Sequence, residues 1–77
     1  MTAEEIQSML EEKFPSSRVL VEDLTGTFDH FEVNVVSPLF HGKGLIEQHQ
    51  MVNRALAGPL EDGRIHALKI RTAAPKQ

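Results

Sequence analysis

The chain has 77 residues, of which 40% are hydrophobic, and this length provides for one domain with a small core. It contains no cysteine, which excludes disulfide bonds, thiolate metal sites and a cysteine nucleophile supplied by this chain. Its formal net charge of −3 differs from the strongly basic balance that is typical of nucleic-acid-binding domains.

The first predicted element is an amphipathic helix over residues 3–13. Thr2 and Glu5 have the spacing of a capping box, in which the hydroxyl and the carboxylate each bind a free backbone amide of the first turn. Apolar residues then recur at helical spacing, and Pro15 marks the end of the helix. One face of this helix is therefore expected to pack on a core.

Two strands are predicted next, over residues 18–24 and 30–36. In the second strand, Phe31, Val33 and Val35 alternate with polar residues, and this period of two is typical of a strand with one buried face. The five residues between the strands include a glycine, which permits an unusual turn geometry. The two strands are therefore expected to form a hairpin.

A second helix is predicted over residues 44–57, and a third strand over residues 64–72. The dipeptide Gly58-Pro59 is expected to end the helix. The connection of roughly 25 residues between the second and third strands is long enough for a right-handed crossover, which would lay these strands parallel. The order α-β-β-α-β thus predicts an α+β fold, with a three-stranded mixed sheet and helices on one face.

The cellular location is predicted from what the sequence lacks. It carries no apolar run of about 18 residues, the length that a membrane-spanning helix needs. Its first residues, MTAEEIQSMLEE, are acidic, whereas signal and transit peptides begin with basic residues. We therefore expect a soluble, cytoplasmic protein without membrane association.

Several short motifs resemble those of the BolA family and occur in the right order at plausible spacing. They are Phe40, Gly42, His49 and Val52, the segment Ile65-His66-Ala67-Leu68, and the strand His30-Phe31-Glu32-Val33. The resemblance implies a fold close to the class II KH domain. It also implies one BolA-like domain over residues 1–77, with an ordered core at about 3–72.

The resemblance further implies a partner and a cofactor. BolA-like proteins pair with monothiol glutaredoxins and share with them a [2Fe-2S] cluster that exists only in the complex. The glutaredoxin and glutathione supply thiolates, and the BolA-like protein supplies the histidine of its Ile-His-Ala motif, which is His66 here. A second ligand comes from the loop between the first two strands, where His30 is the only imidazole candidate. The implied function is iron–sulfur cluster assembly, trafficking or redox regulation.

These histidines also have structural interpretations. His66 shares a face of its predicted strand with Leu68, so it could lie at the edge of the core, and His30 could be an ordinary exposed residue. If the second and third strands are parallel, both histidines lie at the same end of the sheet. Strand alternation would direct them to opposite faces, so convergence requires a hairpin end that is bent or mobile. His49 is expected to be a core histidine, and His41 an exposed loop residue.

No enzymatic activity is expected, because the sequence contains no His-Glu-x-x-His zinc motif, no Gly-x-Ser-x-Gly nucleophile elbow and no phosphate loop of Walker spacing. The alternative function is a KH-like transcriptional regulator that binds nucleic acid. Its phosphate contacts would come from Lys43, Arg64, Lys69 and Arg71. The loop Gly42-Lys43-Gly44 is one residue short of the Gly-x-x-Gly pattern of KH domains. A structural adaptor without metal and a homodimer are further options.

Overall fold

The structure is a computed structural model that describes residues 1–26 and 29–76. Its elements in chain order are α1 (Ala3–Lys13), β1 (Arg18–Asp23), β2 (His30–Val36), a 3-10 turn (Pro38–Phe40), α2 (Leu45–Ala55), α3 (Ala57–Glu61) and β3 (Ala67–Ala73). Strand β2 lies between the other two strands, antiparallel to β1 and parallel to β3. The predicted α+β fold with a three-stranded mixed sheet is confirmed, with a short extra helix before β3.

The core lies between the helices and one face of the sheet. Phe31, Val33 and Val35 are fully buried on the central strand, as their alternation predicts. They belong to one apolar cluster with side chains from the helices and the 3-10 turn, namely Ile6, Leu10, Phe14, Phe40, Val52 and Leu56. The opposite face carries polar and charged side chains, including the paired Glu32 and Lys69. Helices therefore cover one face of the sheet only.

Helix α1 begins at the predicted capping box. The Thr2 hydroxyl accepts a hydrogen bond from the Glu5 amide at 3.2 Å, and the Glu5 carboxylate accepts one from the Thr2 amide at 2.9 Å. The hydrogen bond from the Thr2 amide, assisted by the Thr2 side chain, holds the pKa of the Glu5 carboxyl below its usual value. These contacts favour the ionised carboxylate, so the contribution of the cap to stability depends on pH.

We expect Glu5→Gln to reduce the acid sensitivity of the fold. Because the folded pKa of Glu5 is depressed, its contribution is complete above the pKa of the unfolded chain and is lost as pH falls through the folded pKa. The free energy of unfolding, from urea titrations between neutrality and about pH 3, should therefore fall less steeply in the variant than in the wild type. Glu4→Gln removes the same charge from the first turn outside the box and should keep the wild-type slope. Equal slopes for Glu5→Gln and wild type would contradict this assignment.

The predicted end of the second helix is wrong. Helix α2 ends at Ala55, and Gly58-Pro59 lies inside the short helix α3. The chain turns between the two helices at Leu56, whose φ of −109° and ψ of 19° leave the helical path. Pro59 falls in the first turn of α3, where its missing N–H has no partner within the helix in any case. The proline is buried there and so contributes to packing as well as to chain direction.

The hairpin between β1 and β2 is present. The Asp23 carboxylate accepts hydrogen bonds from the amides of Thr25 and Gly26, at 3.2 and 2.9 Å, and Gly26 adopts a φ of +73° that favours glycine. The Leu24 amide donates to the His30 carbonyl at 2.8 Å and closes the strand pair. The rest of the predicted loop, at positions 27 and 28, lies outside the described residues.

Candidate metal site

The parallel pairing of β2 and β3 brings His30 and His66 together. His30 is paired with Ala67, so His66 stands one residue before its partner position at the same end of the sheet. The two ring centroids are 6.2 Å apart, and the rings are nearly perpendicular, at 88°. Their side chains are 40% and 60% exposed. The expected proximity of these two histidines is therefore observed.

Strand alternation was expected to direct the two histidines to opposite faces of the sheet, and this conflict does not arise. The third strand was predicted from residue 64, but β3 begins at Ala67, so the alternation of the strand does not extend to His66. A turn precedes the strand, in which the Asp62 carboxylate accepts a hydrogen bond from the Arg64 amide at 3.0 Å and Gly63 has a φ of +83°. His66 is therefore free of the core face, and its interpretation as a core-edge histidine is wrong. Ile65 is the buried residue there.

Asp29 joins the two imidazoles and is the site residue that the sequence did not reveal. Its Oδ1 lies 2.7 Å from His30 Nδ1 in a hydrogen bond, and its Oδ2 lies 3.2 Å from His66 Nδ1, within ion-pair distance. Asp29 and His30 are neighbours in the sequence, which could have indicated the first contact. Nothing local indicated the second, which depends on the parallel alignment of β2 with β3.

This arrangement suits a metal centre that is completed by another molecule. With Nδ1 of each ring beside the Asp29 carboxylate, Nε2 is the ring nitrogen left to bind a metal, and imidazole is a suitable ligand for iron. Within residues 1–26 and 29–76, no group of three or more His, Cys, Asp or Glu side chains could hold a metal ion. The two histidines are therefore a candidate pair of nitrogen ligands.

The other two histidines lie apart from this pair in the sequence and on other elements. His41 is exposed at the end of the 3-10 turn, as expected. His49 lies on α2 and is half-buried, so it is less enclosed than a core histidine. The candidate site therefore consists of the rings of His30 and His66 and the carboxylate of Asp29.

The four basic residues that were predicted to contact nucleic acid in the alternative function do not lie on one surface. Lys43 precedes α2 and lies 3.4 Å from Glu47, whereas Arg64 lies in the turn before His66 and 2.8 Å from Asp62. Lys69 and Arg71 lie on the open face of the sheet, where Arg71 Nε is 3.6 Å from Glu32 and Lys69 is the register partner of Glu32. Acidic neighbours thus accompany these cations, which weakens attraction to a phosphate backbone.

In the part of the chain that the structure describes, no helix has both the length and the apolar character needed to cross a bilayer.

Comparisons with known proteins agree on one family. A family model described as BolA-like protein matches residues 10–77. Protein BOLA2 of Arabidopsis thaliana is 40% identical over 78 residues, covering 100% of this chain and 82% of that protein. Among solved structures, BolA1 from Arabidopsis thaliana has a TM-score of 0.85 at 28% identity and covers 95% of this chain and 90% of its own. Yeast Fra2 has a TM-score of 0.79 at 28% identity, with 96% and 80% covered.

Proposed function

Because this chain belongs to the BolA-like family, we propose that it is a non-enzymatic, cytoplasmic partner in iron–sulfur cluster assembly, trafficking or redox regulation. In this proposal it shares a [2Fe-2S] cluster with a monothiol glutaredoxin and glutathione. The observation that supports it best is the pair of exposed imidazoles of His30 and His66, whose ring centroids are 6.2 Å apart. His66 is the histidine of the Ile-His-Ala motif, and His30 is the first residue of β2, directly after the loop from which the family resemblance expects a second ligand.

The chemistry of the donor set supports a shared cluster over one held by this chain alone. A [2Fe-2S] cluster is bound by four protein ligands, typically thiolates, and this chain has no cysteine. His30 and His66 would supply neutral nitrogen ligands, and the partner and glutathione would supply sulfur. Replacing thiolates by imidazoles raises the reduction potential of a bound [2Fe-2S] cluster. The complex would therefore differ electronically from a cluster bound by thiolates only.

The proposal is tested by mixing the purified chain with a monothiol glutaredoxin, glutathione, iron and sulfide. We expect the visible circular dichroism of the glutaredoxin cluster to change on addition of the chain, because imidazole replaces thiolate at the iron. The chain alone, given the same iron, sulfide and glutathione, should stay without a stable cluster, since it lacks thiolates. Association with glutaredoxin without any spectral change would contradict cluster sharing and would indicate a structural adaptor.

A further inference from the structure

Asp29 stands between the two proposed ligands and contacts both. We propose that Asp29 is a positioning residue that keeps the proton of each imidazole on Nδ1, so that His30 and His66 both present an unprotonated Nε2 to a metal. Metal binding by these rings rests on the proposed function, whereas the tautomer of each ring is a property of the chain itself.

The distances indicate which ring nitrogen carries the proton. An ionised carboxylate only accepts hydrogen bonds, so a ring nitrogen beside it is stabilised when that nitrogen is an N–H donor. Oδ1 lies 2.7 Å from His30 Nδ1, and Oδ2 lies 3.2 Å from His66 Nδ1. At either distance, a negative oxygen would repel the lone pair of an unprotonated Nδ1, so the carboxylate favours the Nδ1–H tautomer of both rings. The hydrogen bond at 2.7 Å holds His30 in this form more firmly than the ion-pair contact at 3.2 Å holds His66.

The backbone of Asp29 places the carboxylate between the rings. The Asp29 carbonyl accepts hydrogen bonds from the amides of His66 at 2.7 Å and Ala67 at 3.3 Å, which join the end of the hairpin to the start of β3. These bonds use main-chain atoms, so they persist when the side chain is replaced. The same residue therefore fixes the second histidine in space through its backbone and orients both rings through its carboxylate.

This arrangement has the form that ligating histidines commonly take in metal sites. There, the second ring nitrogen of a ligand donates to a carboxylate or carbonyl, which sets the tautomer and ring orientation before the metal arrives. A single carboxylate that serves two ligands couples their orientations. The side chains of the two rings are 40% and 60% exposed, so both are accessible to a partner.

The first test is made on the metal-free chain. Long-range proton–nitrogen NMR spectra, recorded in alkaline buffer, distinguish the two tautomers of each ring. We expect His30 and His66 to show the Nδ1–H form in the wild type. In Asp29→Asn, the amide offers one acceptor oxygen and one NH₂ donor, so at least one ring should change to the Nε2–H form.

Asp62→Asn is the matched control. It removes one carboxylate charge close in sequence to His66, but Asp62 contacts Arg64 and its amide oxygen can still accept the Arg64 N–H bond. Both tautomers should remain as in the wild type. The proposal is overturned if the wild-type rings are in the Nε2–H form, or if Asp29→Asn leaves both rings unchanged. The wild-type spectrum decides the first point even if a variant fails to fold.

The second test measures how strongly each chain binds to cluster-loaded glutaredoxin. We expect Asp29→Asn to need about 10- to 100-fold more chain than Asp62→Asn for half of the spectral change, the usual cost of losing an outer hydrogen-bond partner of a metal ligand. Wild-type binding by a well-folded Asp29→Asn chain would overturn the positioning role. If the wild type gives no spectral change at all, the shared cluster is contradicted, while the NMR result still decides the tautomers.

Discussion

His66→Ala is expected to abolish the change that the wild-type chain causes in the visible circular dichroism of cluster-loaded glutaredoxin. His66 is one of the two metal ligands in the proposed function, and 60% of its side chain is exposed. Removing an iron ligand from a site that this chain cannot complete by itself should weaken the shared cluster by at least about tenfold, given the 10- to 100-fold cost of losing even an outer-shell partner. The effect on the cluster should be the largest of any single exposed substitution.

His30→Ala should weaken the same signal for the same reason, because its ring also contacts Asp29 and lies 6.2 Å from His66. If the two imidazoles act as a unit, the double variant should lose little more than the first single variant. A fully additive loss would instead indicate that the two rings bind independently.

His41→Ala provides the control for both variants. It removes the same type of side chain from an exposed position at the end of the 3-10 turn and should leave the spectrum unchanged. Far-UV circular dichroism and the unfolding midpoint should stay close to wild type for His66→Ala, because an exposed ring contributes little to the core. An undiminished glutaredoxin signal in a folded His66→Ala chain would remove His66 from the site.

Phe31→Ala is expected to have the largest effect on the fold. Phe31 is fully buried on the central strand β2, next to His30 and opposite Asp23 and Leu68 of the flanking strands. Truncation of a buried phenylalanine costs about 3–5 kcal/mol, because apolar contacts are lost and a cavity remains. A domain of this size has a total stability on the order of 4–12 kcal/mol, so the variant should lose at least about a quarter of its free energy of unfolding, and nearly all of it at the lower end of this range.

Urea titrations followed by far-UV circular dichroism measure this effect, and Leu20→Ala is the control. Leu20 lies on the neighbouring strand β1, but 69% of it is exposed on the open face of the sheet. Its truncation should change the free energy of unfolding by no more than about 0.5 kcal/mol. A loss below about 1 kcal/mol for Phe31→Ala would show that the core is not organised around this ring.

Local patterns predicted most of the fold correctly. The alternation of Phe31, Val33 and Val35 identified the buried face of β2, and the spacing of Thr2 and Glu5 identified the start of α1. These features depend on residues within one turn or one strand, where period and hydrogen-bonding geometry follow directly from residue type. The length of the connection before the third strand also predicted its parallel pairing correctly.

The errors occurred where packing overrides a local preference. Gly58-Pro59 would ordinarily stop a helix, but the chain had already turned at Leu56, and the buried Pro59 could then occupy the first turn of a new helix. The segment before β3 has the composition of a strand. The His66 amide instead donates to the Asp29 carbonyl, and the Arg64 amide donates to the Asp62 carboxylate, so the strand begins later.

The order of the three strands and the two longer helices, the buried face of β2 and the two candidate imidazoles were thus predicted from the sequence alone, because each depends on neighbouring residues or on a recognisable motif. The grouping of His30, His66 and Asp29 was decided only by the tertiary structure. Asp29 and His66 are far apart in the chain, and they meet because β2 and β3 run in the same direction with His30 beside Ala67. Contacts between distant residues depend on strand register, and a one-residue shift would have directed these side chains elsewhere.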